Sequence, residues 1–207
     1  MNRLRLLLMA GLMAFSAAGC ADKNNSNSTP DAQTTAAAQA AELTVNTEDG
    51  FDQDYVPVLK SYFQAIEKKD FEAYKAAIYP PFFEKLTEYY QKQTPAKTMQ
   101  QVFEGLHTKF DEDGYDSWTF TSIAAGYYKN SHGESTDQDA LDFLDAFKNS
   151  KMFDDDFVEA TKNAAKDMRN IKFTLYAHYS GDAEPVPAVS GQEILGIKTD
   201  SGVYLFG

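Results

Sequence analysis

Apolar positions along this chain recur with two periods, and polar breaks separate the blocks. From Phe51 onward, Tyr55, Leu59, Tyr62, Phe63 and Ile66 fall on one face of a 3.6-residue period. Asp54 stands where an N-cap belongs, and Pro57 falls in the first turn, where a missing N–H is tolerated. Asp70 predicts the cap of a second, short helix carrying Phe71, Tyr74 and Ile78. Pro80 and Pro81 stop it and open a third, with Phe82, Phe83, Leu86, Tyr89 and Tyr90 at helical spacing. Thr94-Pro95 reads as a cap followed by proline at the first helical position. A fourth helix follows, with Met99, Val102, Phe103, Leu106 and Phe110.

The period then shifts toward two. Trp118–Lys129 alternates and is rich in β-branched and aromatic residues, which predicts a strand. Leu141, Phe143, Leu144 and Phe147 predict a helix from about Thr136. Phe157, Thr161, Ala164 and Met168 predict another, with Asp154, Asp155 and Asp156 near its positive end. Ile171–Ser180 alternates again, and Gly191–Phe206 reads as two strands about a Thr199-Asp200-Ser201-Gly202 turn. Helices, a strand, helices and three strands make an α+β fold, with helices gathered against one face of an antiparallel sheet.

The N-terminus follows neither period. Arg3 and Arg5 precede an apolar run, Leu6–Phe15, of about ten residues, half the roughly twenty that span a hydrocarbon core. Small residues then lead to Cys20, the only cysteine of the 207-residue chain. This stretch resembles the signal peptide and lipobox of bacterial lipoproteins, although Ala17 stands where that family usually has Leu. The resemblance implies a leader over 1–19, a diacylated Cys20 and an extracytoplasmic protein anchored to a bacterial cell membrane. Two acyl chains are what stable anchoring takes. Ala21–Gly50 has no aromatic and almost no large aliphatic residue, so residues 20–50 are expected to form a disordered tether. Residues 51–207 are then one domain, long enough for a core of its own.

Charge narrows the partners. The chain carries −12, and −14 once Arg3 and Arg5 are removed. That excess opposes binding to nucleic acid and to anionic lipid heads. A lone cysteine permits no internal disulfide. There is no Ser-His-Asp motif, phosphate loop or nucleotide fingerprint, and no cofactor is expected.

The stretch from Tyr62 to Pro80 resembles the opening helices of the NTF2-like superfamily, particularly its bacterial lipoprotein members. Ile194–Phe206 resembles their closing hairpin, with Val203 where an aromatic is usual. The resemblance implies a cone, in which a curved sheet wraps around helices and leaves a cavity at its wide end. Enzymes of that superfamily, isomerases and cyclases, keep a carboxylate base and a Tyr or His inside the cone. The local candidates for a cavity pair are Tyr176 and His178, which share one strand face opposite Phe173, Leu175, Ala177 and Tyr179. His178 would accept a proton and Tyr176 donate a hydrogen bond. The competing reading makes that face simply the solvated one, and spacing assigns it no carboxylate.

Two other constellations invite chemistry. Asp111–Asp116 offers the clustered oxygens that calcium prefers, but its Gly comes too early for an EF-hand and Ser122 stands in place of the closing Glu. Acidic glycine turns account for it, so no metal is expected. Tyr89, Tyr90, Tyr127 and Tyr128 could present stacking surfaces for a glycan. The expected function is therefore a membrane-anchored, non-catalytic module binding a small molecule, a glycan or a protein. The alternatives are a small isomerase or cyclase working in the cone, and a glycan-binding surface protein.

Overall fold

The computed structural model describes residues 42–111, 115, 117–149 and 153–207. Cys20, the leader and the tether up to residue 41 lie outside them, as do residues 112–114 and 116 of the acidic turn. The elements are β1 (Thr44–Thr47), α1 (Tyr55–Lys68), α2 (Phe71–Ala77), α3 (Pro80–Gln91), α4 (Met99–Thr108), β2 (Trp118–Tyr127), α5 (Asp137–Asn149), α6 (Asp155–Ala164), β3 (Asp167–Tyr179), β4 (Val186–Lys198) and β5 (Val203–Phe206). The strands form one mixed sheet in the order β1-β2-β3-β4-β5, with β1 parallel to β2 and the others antiparallel.

α1 lies along the strands rather than across them. Tyr55, at its start, donates a hydrogen bond to Asp167 of β3 at 2.8 Å. Glu67, near its end, accepts one from Thr119 at the opposite end of the strand pair. Between them Phe63 packs on Phe120 and Phe173, at 6.1 and 5.1 Å between ring centroids. Yet α1 also contacts both edge strands, β1 and β5. A helix parallel to the strands reaches both edges only where the sheet bends round it. Register shifts at Phe120/Ser122, Phe173/Leu175 and Leu175/Tyr176 supply the bend, because an extra residue in one strand increases local twist. β1 and β5 do not pair, so the sheet stays open.

The helix starts follow their caps. Asp70 Oδ1 accepts the Ala73 N–H at 3.0 Å and Asp154 Oδ1 accepts the Phe157 N–H at 2.8 Å, as the sequence predicts. Asp54 occupies the N-cap of α1, but the carboxylate of Asp52 accepts its N–H while its own side chain pairs with Lys198.

Five expectations need correction. The fourth helix starts not at Pro95 but at Met99, because Thr98 and Gln101 form a reciprocal capping box. The tether does not extend to Gly50: Thr44–Thr47 pairs with Ser122–Ala125, and Leu43 is 2% exposed. Two inward apolar residues, Leu43 and Val45, suffice for so short an edge strand. The sheet is consequently mixed rather than antiparallel. Met168 belongs to β3 and not to α6, which ends at Ala164.

Finally, the helices do not all lie on one face. Asn170, Leu195 and Ile197 point away from α1 by strand alternation, yet they are buried, and α5 packs on β3 and β4. Phe206 likewise turns from α1 and meets Phe82 of α3 at 4.5 Å and Tyr79 at 5.4 Å. The α2–α3 junction thus closes the β5 edge, where Tyr79 N–H also donates to the Leu205 carbonyl.

Gly196 sets how closely α1 approaches. A Cβ there would lie 2.5 Å from the Tyr55 ring and 2.9 Å from the Ile171 side chain. Tyr55 is fully buried and tied to Asp167, so it cannot retreat. Gly196→Ala should therefore destabilise the protein by about 1–3 kcal/mol in denaturant unfolding. Gly105→Ala is the contrasting control. Within α4 the added methyl meets nothing within 4 Å, and the change should stabilise by about 0.5–1 kcal/mol.

Candidate functional site

Tyr176 and His178 sit on β3 opposite Ser122 and Thr119 of β2. Phe173, Leu175, Ala177 and Tyr179 alternate with them and are buried toward α1. Tyr176 and His178 therefore occupy the far, half-exposed face of the sheet and line no cavity beneath it. The reason is the strand's own alternation: the more apolar face takes the core. Tyr89 and Tyr90 are nearly perpendicular, at 76°. Tyr127 is stacked on Phe51 at 5.0 Å, and its hydroxyl accepts the Asp52 N–H at 3.0 Å. These tyrosines do not build one stacking surface.

Rings pack between α1 and the sheet, Phe63 against Phe120 and Phe173. The aromatic packing continues among the helices, where Tyr62 of α1 meets Tyr74 of α2 at 5.3 Å and Tyr74 meets Phe103 of α4 at 4.7 Å. Burial holds the phenols of Tyr62 and Tyr74 above their ordinary range, since the phenolate would be stranded without water.

Charges gather at one end of the sheet. Lys198 pairs with Asp52 at 2.5 Å and Asp54 at 2.6 Å, and its ammonium lies over the Tyr55 ring. Arg169 pairs with Asp137 at 2.6 Å and Asp167 at 2.9 Å. Every one of these charges has an internal partner, and the cluster fastens α1 and α5 to β3 and β4.

Two recesses open on the helical side. The larger, about 620 Å³, lies between α2, α3 and β5 and is lined by Glu72, Lys75, Pro80, Phe83, Glu84 and Tyr204. The Lys75 ammonium lies 5.4 Å from the centre of the Phe83 ring. The smaller, about 300 Å³, lies between the α1–α2 junction and α4. Phe71 and Phe103, 5.6 Å apart, form its floor. Lys69, Gln100, Glu104 and His107 surround it, with Thr108 beyond.

His107 is distinctive there. Its side chain is only 12% exposed, and Nδ1 is buried without a hydrogen-bond partner. Asp111 Oδ2 lies 3.8 Å from Nδ1, too far for a hydrogen bond. Trp118 Nε1–H donates to the other oxygen, Asp111 Oδ1, at 2.8 Å, and the indole lies 4.8 Å from the imidazole. Burial first, and the Lys69 ammonium second, push the His107 pKa below its ordinary value, while Asp111 pulls the other way. At neutral pH the ring is uncharged. Placing N–H on Nδ1 faces the carboxylate with a donor and leaves Nε2 as an acceptor.

Sequence alone joins His107 to no other histidine, since His132 and His178 lie far along the chain. The available signal was Asp111, four residues after His107. Trp118 joins them only through the fold. Among the described residues no group of three His, Cys, Asp or Glu side chains is placed to hold a metal ion. No helix among them is long and apolar enough to cross a membrane. No protein family, curated protein or solved structure matches this chain.

The depressed His107 pKa has a signed consequence. As pH falls through the ordinary histidine range, the unfolded chain takes up a proton that the folded chain refuses. Stability is therefore lost on acidification through that range. Unfolding free energies of the wild type and His107→Gln, measured from pH 7.5 to 5, should show the wild type losing more.

Proposed function

We propose that this chain is an extracytoplasmic lipoprotein of the NTF2-like kind, held at a bacterial membrane by diacylated Cys20. Its domain acts as a non-catalytic module that binds a small-molecule, glycan or protein ligand. The observation that supports the non-catalytic reading is the aromatic packing between α1 and the sheet. NTF2-like isomerases and cyclases work in a cavity between helix and sheet, whereas here Phe63 is wedged between Phe120 and Phe173 in that space. Recesses beside α2, α3 and α4 offer room for ligands. The NTF2-like assignment is supported by α1 lying in a bent sheet, by α2 and α3 directly after it, and by the closing β4–β5 hairpin. The Thr199 N–H bonded to the Gly202 carbonyl at 2.9 Å closes that hairpin's turn. The anchor rests on the lipobox resemblance around Cys20.

Fractionation of bacteria producing the chain tests the anchor. Wild type should stay with the membrane, and Cys20→Ala should lose both processing and retention. Unchanged retention would refute anchoring through Cys20. A second measurement tests the filled interior. Wild type should not take up benzene, while Phe63→Ala, destabilised by about 3–5 kcal/mol, should bind it in the vacated space. Stoichiometric uptake of an apolar probe by the wild type beneath the sheet would favour the isomerase or cyclase reading.

A further inference from the structure

The smaller recess has a hydrogen-bond inventory that selects its occupant. Asp111 is held by the Trp118 indole N–H, which turns its second oxygen toward His107 Nδ1. That orientation favours the proton on Nδ1 and leaves Nε2 with a lone pair on the ring's other side. Nδ1 is fully buried while His107 lines the recess, which leaves Nε2 as the ring nitrogen available to a ligand. The other groups point the same way. Gln100 donates one amide N–H to Glu104 Oε1 at 3.1 Å, which leaves its carbonyl oxygen as an acceptor and its second N–H as a donor. Thr108 spends its O–H on the Gly105 carbonyl at 3.1 Å, leaving oxygen lone pairs. Glu104 is a carboxylate and accepts only. The wall thus sets these acceptors beside the Lys69 ammonium, a donor, and it stands over an aromatic floor of Phe71 and Phe103.

Such a wall wants a ligand whose groups both donate and accept, as hydroxyls do. Lys69 stands close enough to depress the His107 pKa, so it repels a cation. Glu104 repels an anion. Neutral hydroxyls meet neither penalty, and the C–H face of a polyol suits the aromatic floor. The volume, about 300 Å³, sits at the small end of ligand pockets. We propose that the recess between the α1–α2 junction and α4 binds a small neutral polyol, with His107 Nε2 accepting a hydroxyl hydrogen bond. Asp111 is the positioning residue: it acts through His107 and does not touch the ligand. This rests on the binding-module reading and names the ligand class for one of its recesses.

Trp118 is the only tryptophan of the chain, and its contact with His107 makes its fluorescence a local reporter. The experiment titrates the whole protein with glycerol and D-glucose, and in parallel with ethylammonium and acetate. Neutral polyols should give a saturable Trp118 response in the millimolar range. His107→Phe keeps a ring beside Trp118 but removes the acceptor, and should weaken binding about three- to tenfold. His178→Ala, on the far sheet face, should leave binding unchanged. Asp111→Asn should weaken binding and also lower the pH midpoint of the fluorescence, because a carboxylate no longer favours the imidazolium. A purely structural role for Asp111 would not move that midpoint. Equal affinity in His107→Phe, or no saturable polyol response, overturns the proposal. Saturation by ethylammonium or acetate alone overturns the polyol class and leaves the binding-module reading standing. Conversion of a probe, followed by proton NMR, overturns the binding-module reading itself.

Discussion

The seat that Gly196 leaves for Tyr55 is the contact on which the rest of the architecture depends. α1 can lie inside a bent sheet only if one strand lets it approach closely, and a strand carrying a side chain at that point would hold it off. With no Cβ in the way, the Tyr55 ring settles on β4 and its hydroxyl reaches Asp167 of β3. Lys198 then closes over the ring and draws in Asp52 and Asp54 from the chain before α1. One contact thereby fixes the start of α1 and its distance from the sheet. Burial and the bonded carboxylate both push the Tyr55 phenol far above its ordinary range, so it remains a donor at any physiological pH.

From that seat the interior follows. A helix held close to a curved sheet leaves a narrow space, and this sequence fills it with aromatic rings rather than polar groups. Rings are large and stiff, so a few of them take up much of such a space. The functional consequence is spatial. Polar chemistry is displaced to the two ends of the helical layer. At the Tyr55 end each charge is matched by another, which suits a clasp. At the α4 end His107 Nδ1 is left without a hydrogen-bond partner among the described residues.

The amphipathic helices were legible because each carries its own periodic signal. α1, α2 and α3 obey local rules of spacing, capping and proline placement, and the hairpin β4–β5 carries its turn residues beside it. What failed was what depends on distant partners. Nothing near Thr44 announces a parallel partner at Ser122. The burial of Asn170 and Leu195 requires α5, which lies on the other side of a sheet whose curvature no local pattern records. Thr98 and Gln101 were readable, since their spacing is that of a capping box, but Thr94-Pro95 competed as a start signal. The same division governs the site. The face shared by Tyr176 and His178 followed from alternation, while its exposure depended on which face the helices took. His107 looked isolated because Trp118 reaches it only across the fold.

Three buried polar atoms among the described residues lack a hydrogen bond: His107 Nδ1, Thr161 Oγ1 and Asn170 Oδ1. They are not equivalent. Asn170 is half satisfied, since its amide nitrogen donates to Glu193 at 2.8 Å. Thr161 sits within α6, at 1% exposure. His107 also lines a recess, and a carboxylate, that of Asp111, stands just beyond reach of its unmet Nδ1. An unmet buried polar atom costs about 1–3 kcal/mol. Closing the gap between His107 and Asp111 by about 1 Å would recover much of that, because 2.8 Å is an ordinary hydrogen-bond length. The recess is therefore a place where a small shift of a ring lowers the energy of the protein itself, so an occupant there would be felt.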